Sequence, residues 1–141
     1  MERDAAIARL AAARVGRLAT VRPDGSPHVV PFVFALEGDT LCWAVDRKPK
    51  ATQGLQRLEN IRATPSVEVV VDHYEEDWTK VWWVRARGQA RILEPSDHEA
   101  RSRALGLLAA RYPQYRDQPP DGPVVVVALT SITGWEATPS A

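Results

Sequence analysis

The densest chemistry in this 141-residue chain is a run of charge, Asp46-Arg47-Lys48-Pro49-Lys50. Its three cations gather where an apolar segment ends and a helical spacing, Leu55 and Leu58, begins. Cations at the start of a helix oppose the positive end of its dipole, at a cost of about 0.3–1 kcal/mol each. A phosphate monoester or diester removes that conflict, because free backbone N–H groups at a helix start and nearby Lys and Arg side chains are what such a group binds. The competing reading is a basic loop whose charges point into water, which costs little. On the residues alone both readings stand open.

The other reactive side chains form no catalytic set. His28, His73 and His98 are scattered, and no Ser-His-Asp or Cys-His spacing argues for covalent catalysis. His98 lies within Ser96-Asp97-His98-Glu99, which has the form of a capping box and puts the histidine on a polar surface. Cys42 alternates with Leu41 and Trp43 and reads as a small core residue; a lone cysteine makes no internal disulfide, and without a Cys or His cluster no zinc site is expected.

The elements that must position these residues are mostly strands. Residues 4–14 place Ile7, Leu10 and Ala11 on one face of a short helix. Val15 to Val21 and residues 27–36 are β-like and flank Pro23-Asp24-Gly25-Ser26, a hairpin turn. A turn at Glu37-Gly38-Asp39 leads to a third strand over Thr40 to Val45, and Pro49 suits the first turn of a helix over 51–61. Val67 to Val71 and Lys80 to Leu93 are further strands around a charged loop, with Gly88 a bulge or a close backbone approach. A helix follows the capping box and stops at Pro113; 112–123 is an irregular loop, and Val124 to Leu129 is the last strand.

Composition bounds the rest. A chain of this length with 45% hydrophobic residues fits a single domain over 1–141. Eighteen basic residues balance eighteen acidic ones, and the basic residues form one knot instead of a stripe, so no nucleic-acid partner is expected. The charged start and the lack of a long apolar run predict a cytoplasmic protein with no membrane segment. Val29 to Leu36, Leu41 to Val45 and Val124 to Leu129 are apolar on both faces, and three short helices cannot cover them all. A small barrel completed by a second copy of the chain would cover them, and Pro31, unable to donate to a ladder, marks an edge, bulge or interruption.

In this order Gly16-Arg17-Leu18-Ala19-Thr20, Pro23-Asp24-Gly25-Ser26-Pro27-His28, Pro31, Lys48-Pro49-Lys50-Ala51 and Leu58-x-x-Ile61 resemble the pyridoxamine-phosphate-oxidase-like split-barrel proteins. Trp82-Trp83-Val84-Arg85-Ala86-Arg87-Gly88 and Tyr112-Pro113-x-Tyr115 through Gly134-Trp135 are most similar to the branch that uses the deazaflavin coenzyme F420. The resemblance implies a six-stranded antiparallel split β-barrel of the FMN-binding type with short flanking helices. It further implies a homodimer with two cofactor clefts at its interface and a small organic molecule as hydride donor or acceptor. By that similarity Arg47, Lys48 and Lys50 hold the cofactor phosphate, and Arg17, Leu18, Ala19 and Thr20 run beside the ring system. His28 and Pro31 border the same cleft. No side chain need act as a catalytic nucleophile, since the chemistry resides on the cofactor, and His28 is the candidate proton donor. Where the flavin-mononucleotide oxidases carry Gln, this chain carries Trp83, which argues against ordinary FMN. Two alternatives remain: an FMN-binding oxidase or flavin reductase of the same fold, and a non-catalytic cofactor-binding protein. Trp82 and Trp83 point to opposite faces of their strand, and the residues alone do not say which faces the cofactor.

Overall fold

The computed structural model describes residues 1–45 and 51–138. Helix α1 (Arg3–Ala12) precedes strands β1 (Gly16–Val21), β2 (Pro27–Phe32), β3 (Ala35–Glu37) and β4 (Thr40–Ala44). Then come α2 (Ala51–Ala63), β5 (Ser66–His73), a single 3-10 turn at Trp78–Lys80, β6 (Trp82–Ile92), α3 (His98–Arg111), α4 (Pro113–Asp117) and β7 (Val124–Glu136). All strands join one antiparallel sheet in the order β2-β1-β5-β6-β7-β4-β3. The expectation of an antiparallel split barrel with short helices holds.

The topology itself closes the barrel. Strands β2 and β3 stand at opposite ends of the hydrogen-bonded order, yet only Val33 and Phe34 separate them in sequence. Three Cα steps span at most about 11 Å, so the two sheet edges are forced together. What reads in sequence as one strand over 27–36 is therefore broken, and six expected strands become seven. Pro27 and Pro31 lie on the edge strand β2, where a missing N–H costs no ladder bond.

The broken corner needs hydrogen-bond partners, and Tyr112 supplies them. The Phe34 N–H donates to Tyr112 Oη at 3.2 Å, while that hydroxyl lies 2.8 Å from the Phe34 carbonyl and 3.0 Å from the Arg14 carbonyl. Its one proton serves one carbonyl at a time. Next to it Arg14 donates to the Arg111 carbonyl at 2.7 Å and the Arg111 guanidinium donates to the Ala13 carbonyl, so the end of α3 is tied to the approach to β1.

Two apolar clusters follow from this arrangement. The barrel interior holds Leu18, Phe32, Phe34, Leu41, Trp43, Val69, Val84, Val125 and Val127, with Ala6 and Leu10 of α1 and Leu58 and Ile61 of α2 packed into it. Outside the barrel, α3 covers β3, β4 and the start of β7 through Ala104, Leu108 and Tyr112 against Ala35, Cys42 and Val124. The core placement expected for Cys42 is what the structure has, and burial pushes its thiol pKa up to about 11.

Some boundaries differ from the expected ones. Asp97 is the N-cap of α3, without a capping bond from its side chain, which instead accepts from Glu94 N–H at 2.8 Å and from Arg91 at 3.3 Å. The Ser96–Glu99 capping box is thus not formed. Pro113 ends α3 but also opens α4, since proline is suited to a first helical position. Strand β7 runs on to Glu136 because β6 pairs with its residues Ser131 to Glu136 beyond the bulge. At Gly88 both expectations hold: the register shifts between Arg87 and Gly88, and a Cβ there would lie 2.3 Å from the Ala128 carbonyl oxygen.

Replacing Tyr112 by Phe removes the hydroxyl that serves the corner and leaves buried backbone groups without a partner. The expected loss is about 1–3 kcal/mol of stability, read as a lower urea midpoint with an unchanged slope.

Candidate functional site

Alternation along β1 and β2 divides the candidate residues between two faces. Leu18 and Thr20 are buried at 0% and 2% exposure on the inner side, while Arg17 is exposed and Ala19 half-buried on the outer side. On β2, His28, opposite Thr20, takes the inner side, whereas Pro31, opposite Arg17, takes the outer side. The residues 17–20 thus offer an outer cleft their backbone and the side chains of Arg17 and Ala19 only. His28 and Pro31 do not share a face.

Among the described residues no helix packs on the outer face of β2, β1, β5, β6 and the end of β7. Val29 is 62% exposed and Trp135 44%, with Ala19, Val21, Val70 and Trp83 half-buried between them. Trp83 pairs with Trp135 across β6 and β7, and the Arg85 guanidinium lies 5.2 Å from the centre of the Trp83 ring. Glu68 on β5 holds Arg87 at 2.8 Å and Arg85 at 3.9 Å. Trp82 faces the opposite way: it packs on the barrel interior with the Arg9 guanidinium 4.7 Å from its ring centre. Of the two tryptophans, Trp83 belongs to the open face. Aromatic and apolar surface flanked by Arg17, Arg85 and Arg87 suits a flat, anionic molecule.

At the inner end of the same two strands lies a polar group that the sequence pattern did not reveal. Asn60 of α2 is fully buried; it donates to Thr20 Oγ1 at 2.9 Å and accepts from Gln56 at 2.8 Å. A polar residue between Leu58 and Ile61 was the available signal. His28 lies beside Thr20 with Nδ1 buried and unbonded, and Arg57 has its Nε buried and unbonded. Burial, then the charges of Arg22 and Arg57, lower the His28 pKa below the usual imidazole value. At neutral pH His28 is accordingly uncharged, with one ring N–H to donate in a hydrogen bond.

Arg47, Lys48 and Lys50, the residues assigned to a phosphate, lie outside the described residues. The flanking structure is described: Val45 N–H donates to the Pro123 carbonyl at 2.9 Å, and Ala51 opens α2. A cleft of about 910 Å³ lies at this end of the barrel, with Arg62, Glu94, His98, Arg101 and Asp121 in its wall. Trp43 is core, whereas Trp78, 75% exposed, stands free on the 3-10 turn. Among the described residues no group of His, Cys, Asp and Glu could hold a metal, and no helix is long and apolar enough to cross a membrane.

These features define a split barrel with one helix-free outer face, and the sequence carries the corresponding family pattern. The pattern of the pyridoxamine 5'-phosphate oxidase family matches residues 3–136, and the chain belongs to that family. No curated protein sequence matches it. Among solved structures it is similar to a conserved hypothetical protein of Mycobacterium tuberculosis, 23% identical, with TM-score 0.76 over 97% of this chain and 86% of the other. An FAD-binding protein of Mesorhizobium loti is 23% identical, with TM-score 0.70 over 95% and 94% of the two chains. The haem storage protein HutZ of Vibrio cholerae is 16% identical, with TM-score 0.71 over 96% and 95%. At these identities the likeness is one of fold.

Replacing Asn60 by Leu would leave the buried Thr20 Oγ1 without its donor and free the half-buried Gln56 amide. A stability loss of about 1–3 kcal/mol is expected in urea unfolding, and the double change with Thr20→Val should recover part of it.

Proposed function

We propose that this chain is an F420-dependent oxidoreductase that transfers a hydride between the deazaflavin and a small organic substrate. In this reading it works as a homodimer with a cofactor cleft at each side of the interface. The observation that carries the reading is the open outer face, on which Trp83 and the half-buried Ala19 and Val70 lie among Arg17, Arg85 and Arg87. The exposed Val29 and Trp135 give the same face the apolar rim that a second copy would cover.

F420, when bound, supplies the carbon that gives or takes the hydride. The chain's own residues orient, shield and compensate charge. Arg17, Arg85 and Arg87 place positive charge beside the ring, and Glu68 pairs with the last two. Trp83 offers a flat apolar surface that excludes water from one side. Arg47, Lys48 and Lys50 are assigned the phosphate from sequence. His28 lies on the inner side of β2 and is neutral at working pH, so there it donates a hydrogen bond and does not supply a proton to a substrate on the outer face.

A second reading keeps the fold and replaces the deazaflavin by a flavin, FMN or FAD. Its support is the Mesorhizobium loti neighbour, which is described as FAD-binding. Against it stands Trp83 in place of the glutamine of the FMN oxidases.

Titration of the protein with F420, FMN and FAD, followed by tryptophan fluorescence, separates these readings. F420 should bind tightest. Lys50→Ala should weaken it at least tenfold, about 1.4 kcal/mol. Unchanged affinity in that variant would falsify the phosphate assignment.

A further inference from the structure

We infer that Arg57 and His28 form a second oxyanion subsite at the inner end of β1 and β2, one that takes a phosphate ester. The inference rests on the cofactor reading only in its choice of phosphate as the anion.

The argument starts from two side chains that the fold leaves incomplete. Arg57 Nε and His28 Nδ1 are both buried without a hydrogen-bond partner. They come from different elements, α2 and β2, which meet through Asn60, Thr20 and His28. Position is fixed by their neighbours. Asn60, one helical turn beyond Arg57, is bonded to Thr20, and Thr20 is the register partner of His28. In the structure the bonds of Thr20, Asn60 and Gln56 run to one another, and neither orphan takes part in them.

Among the described residues the charged groups that act on His28 are both positive: Arg22, on the hairpin turn, and Arg57, on α2. Asp24, the acid of that hairpin, interacts with Arg22 and accepts from the Ser26 N–H at 2.9 Å and the Ser26 hydroxyl at 2.6 Å. Glu59 of α2 is exposed, and Tyr115 is the other titratable group near Arg57. Among the described residues Arg57 has no ion pair with a carboxylate. A partly buried guanidinium without a counter-charge is costly, and an oxyanion that accepts from Arg57 Nε and from a His28 N–H removes that cost.

An anion seated there must stabilise the imidazolium form of His28, since opposite charge favours the charged state. The test is the His28 titration, followed by NMR of the imidazole carbon-bound protons, with and without inorganic phosphate. In the intact chain the His28 pKa should lie below that of a free imidazole and rise by roughly one unit when phosphate is added. In Arg57→Gln the rise should vanish and the phosphate dissociation constant should increase about tenfold. Arg57→Lys, which keeps the charge, should retain part of the rise and guards against reading misfolding as loss of the site. A His28 pKa that ignores phosphate, or a rise that persists in Arg57→Gln, would overturn the subsite. The Lys50→Ala titration is read independently, so either assignment can fail alone. If F420 abolishes the phosphate-induced rise, the subsite belongs to the cofactor; if the rise persists beside F420, it serves a phosphorylated substrate.

Discussion

Closure of the sheet through two residues governs the rest of the molecule. Val33 and Phe34 carry the chain from one sheet edge to the other, and the Tyr112 hydroxyl satisfies the backbone at that corner. Once the edges are joined, every strand has a sealed side and an outer side, and residues of alternate parity cannot exchange roles. The helices then settle what stays open. α1 and α2 pack into the interior cluster, and α3 covers β3, β4 and the start of β7. The outer face of β2, β1, β5 and β6 remains for other partners.

That division decides which chemistry each residue can perform. Trp43 and Trp83 are both tryptophans on strands, but the first fills the interior at 1% exposure while the second stands on the open face beside Arg85. Arg17 and Thr20 lie three residues apart and act on opposite sides of β1. Thr20 anchors α2 through Asn60, whereas Arg17 adds positive charge to the outer surface. A change that merely shifted the β1 register by one residue would exchange these functions and empty both sites.

Much of this could be read from residue order, and the failures have physical causes. Turn residues and alternation located the hairpins, the bulge at Gly88 and the core place of Cys42. The break at Val33-Phe34 was hidden because both residues are apolar and strand-forming, and only the distant Tyr112 makes a corner there satisfiable. The capping box failed because Asp97 spends its carboxylate on Glu94 N–H and Arg91, partners that lie outside the local motif. Candidate residues were legible as a stretch, 17–20, but not as faces. A short motif carries no parity until its neighbours are known. Asn60 and Arg57 escaped because a polar residue on a helix reads as solvent-facing unless something buried is waiting for it.

The proposed reading puts the ring system of the cofactor on the outer face of β1, β5 and β6, away from the barrel core around Leu18, Trp43 and Val84. Its most direct test is an amide and indole NMR map of the protein before and after saturation with F420. The account predicts shifts at the backbone N–H groups of Arg17, Ala19 and Val70 and at the Trp83 indole, with the Trp43 indole unmoved. Shifts confined to the α3 side of the barrel, with Trp83 silent, would contradict it.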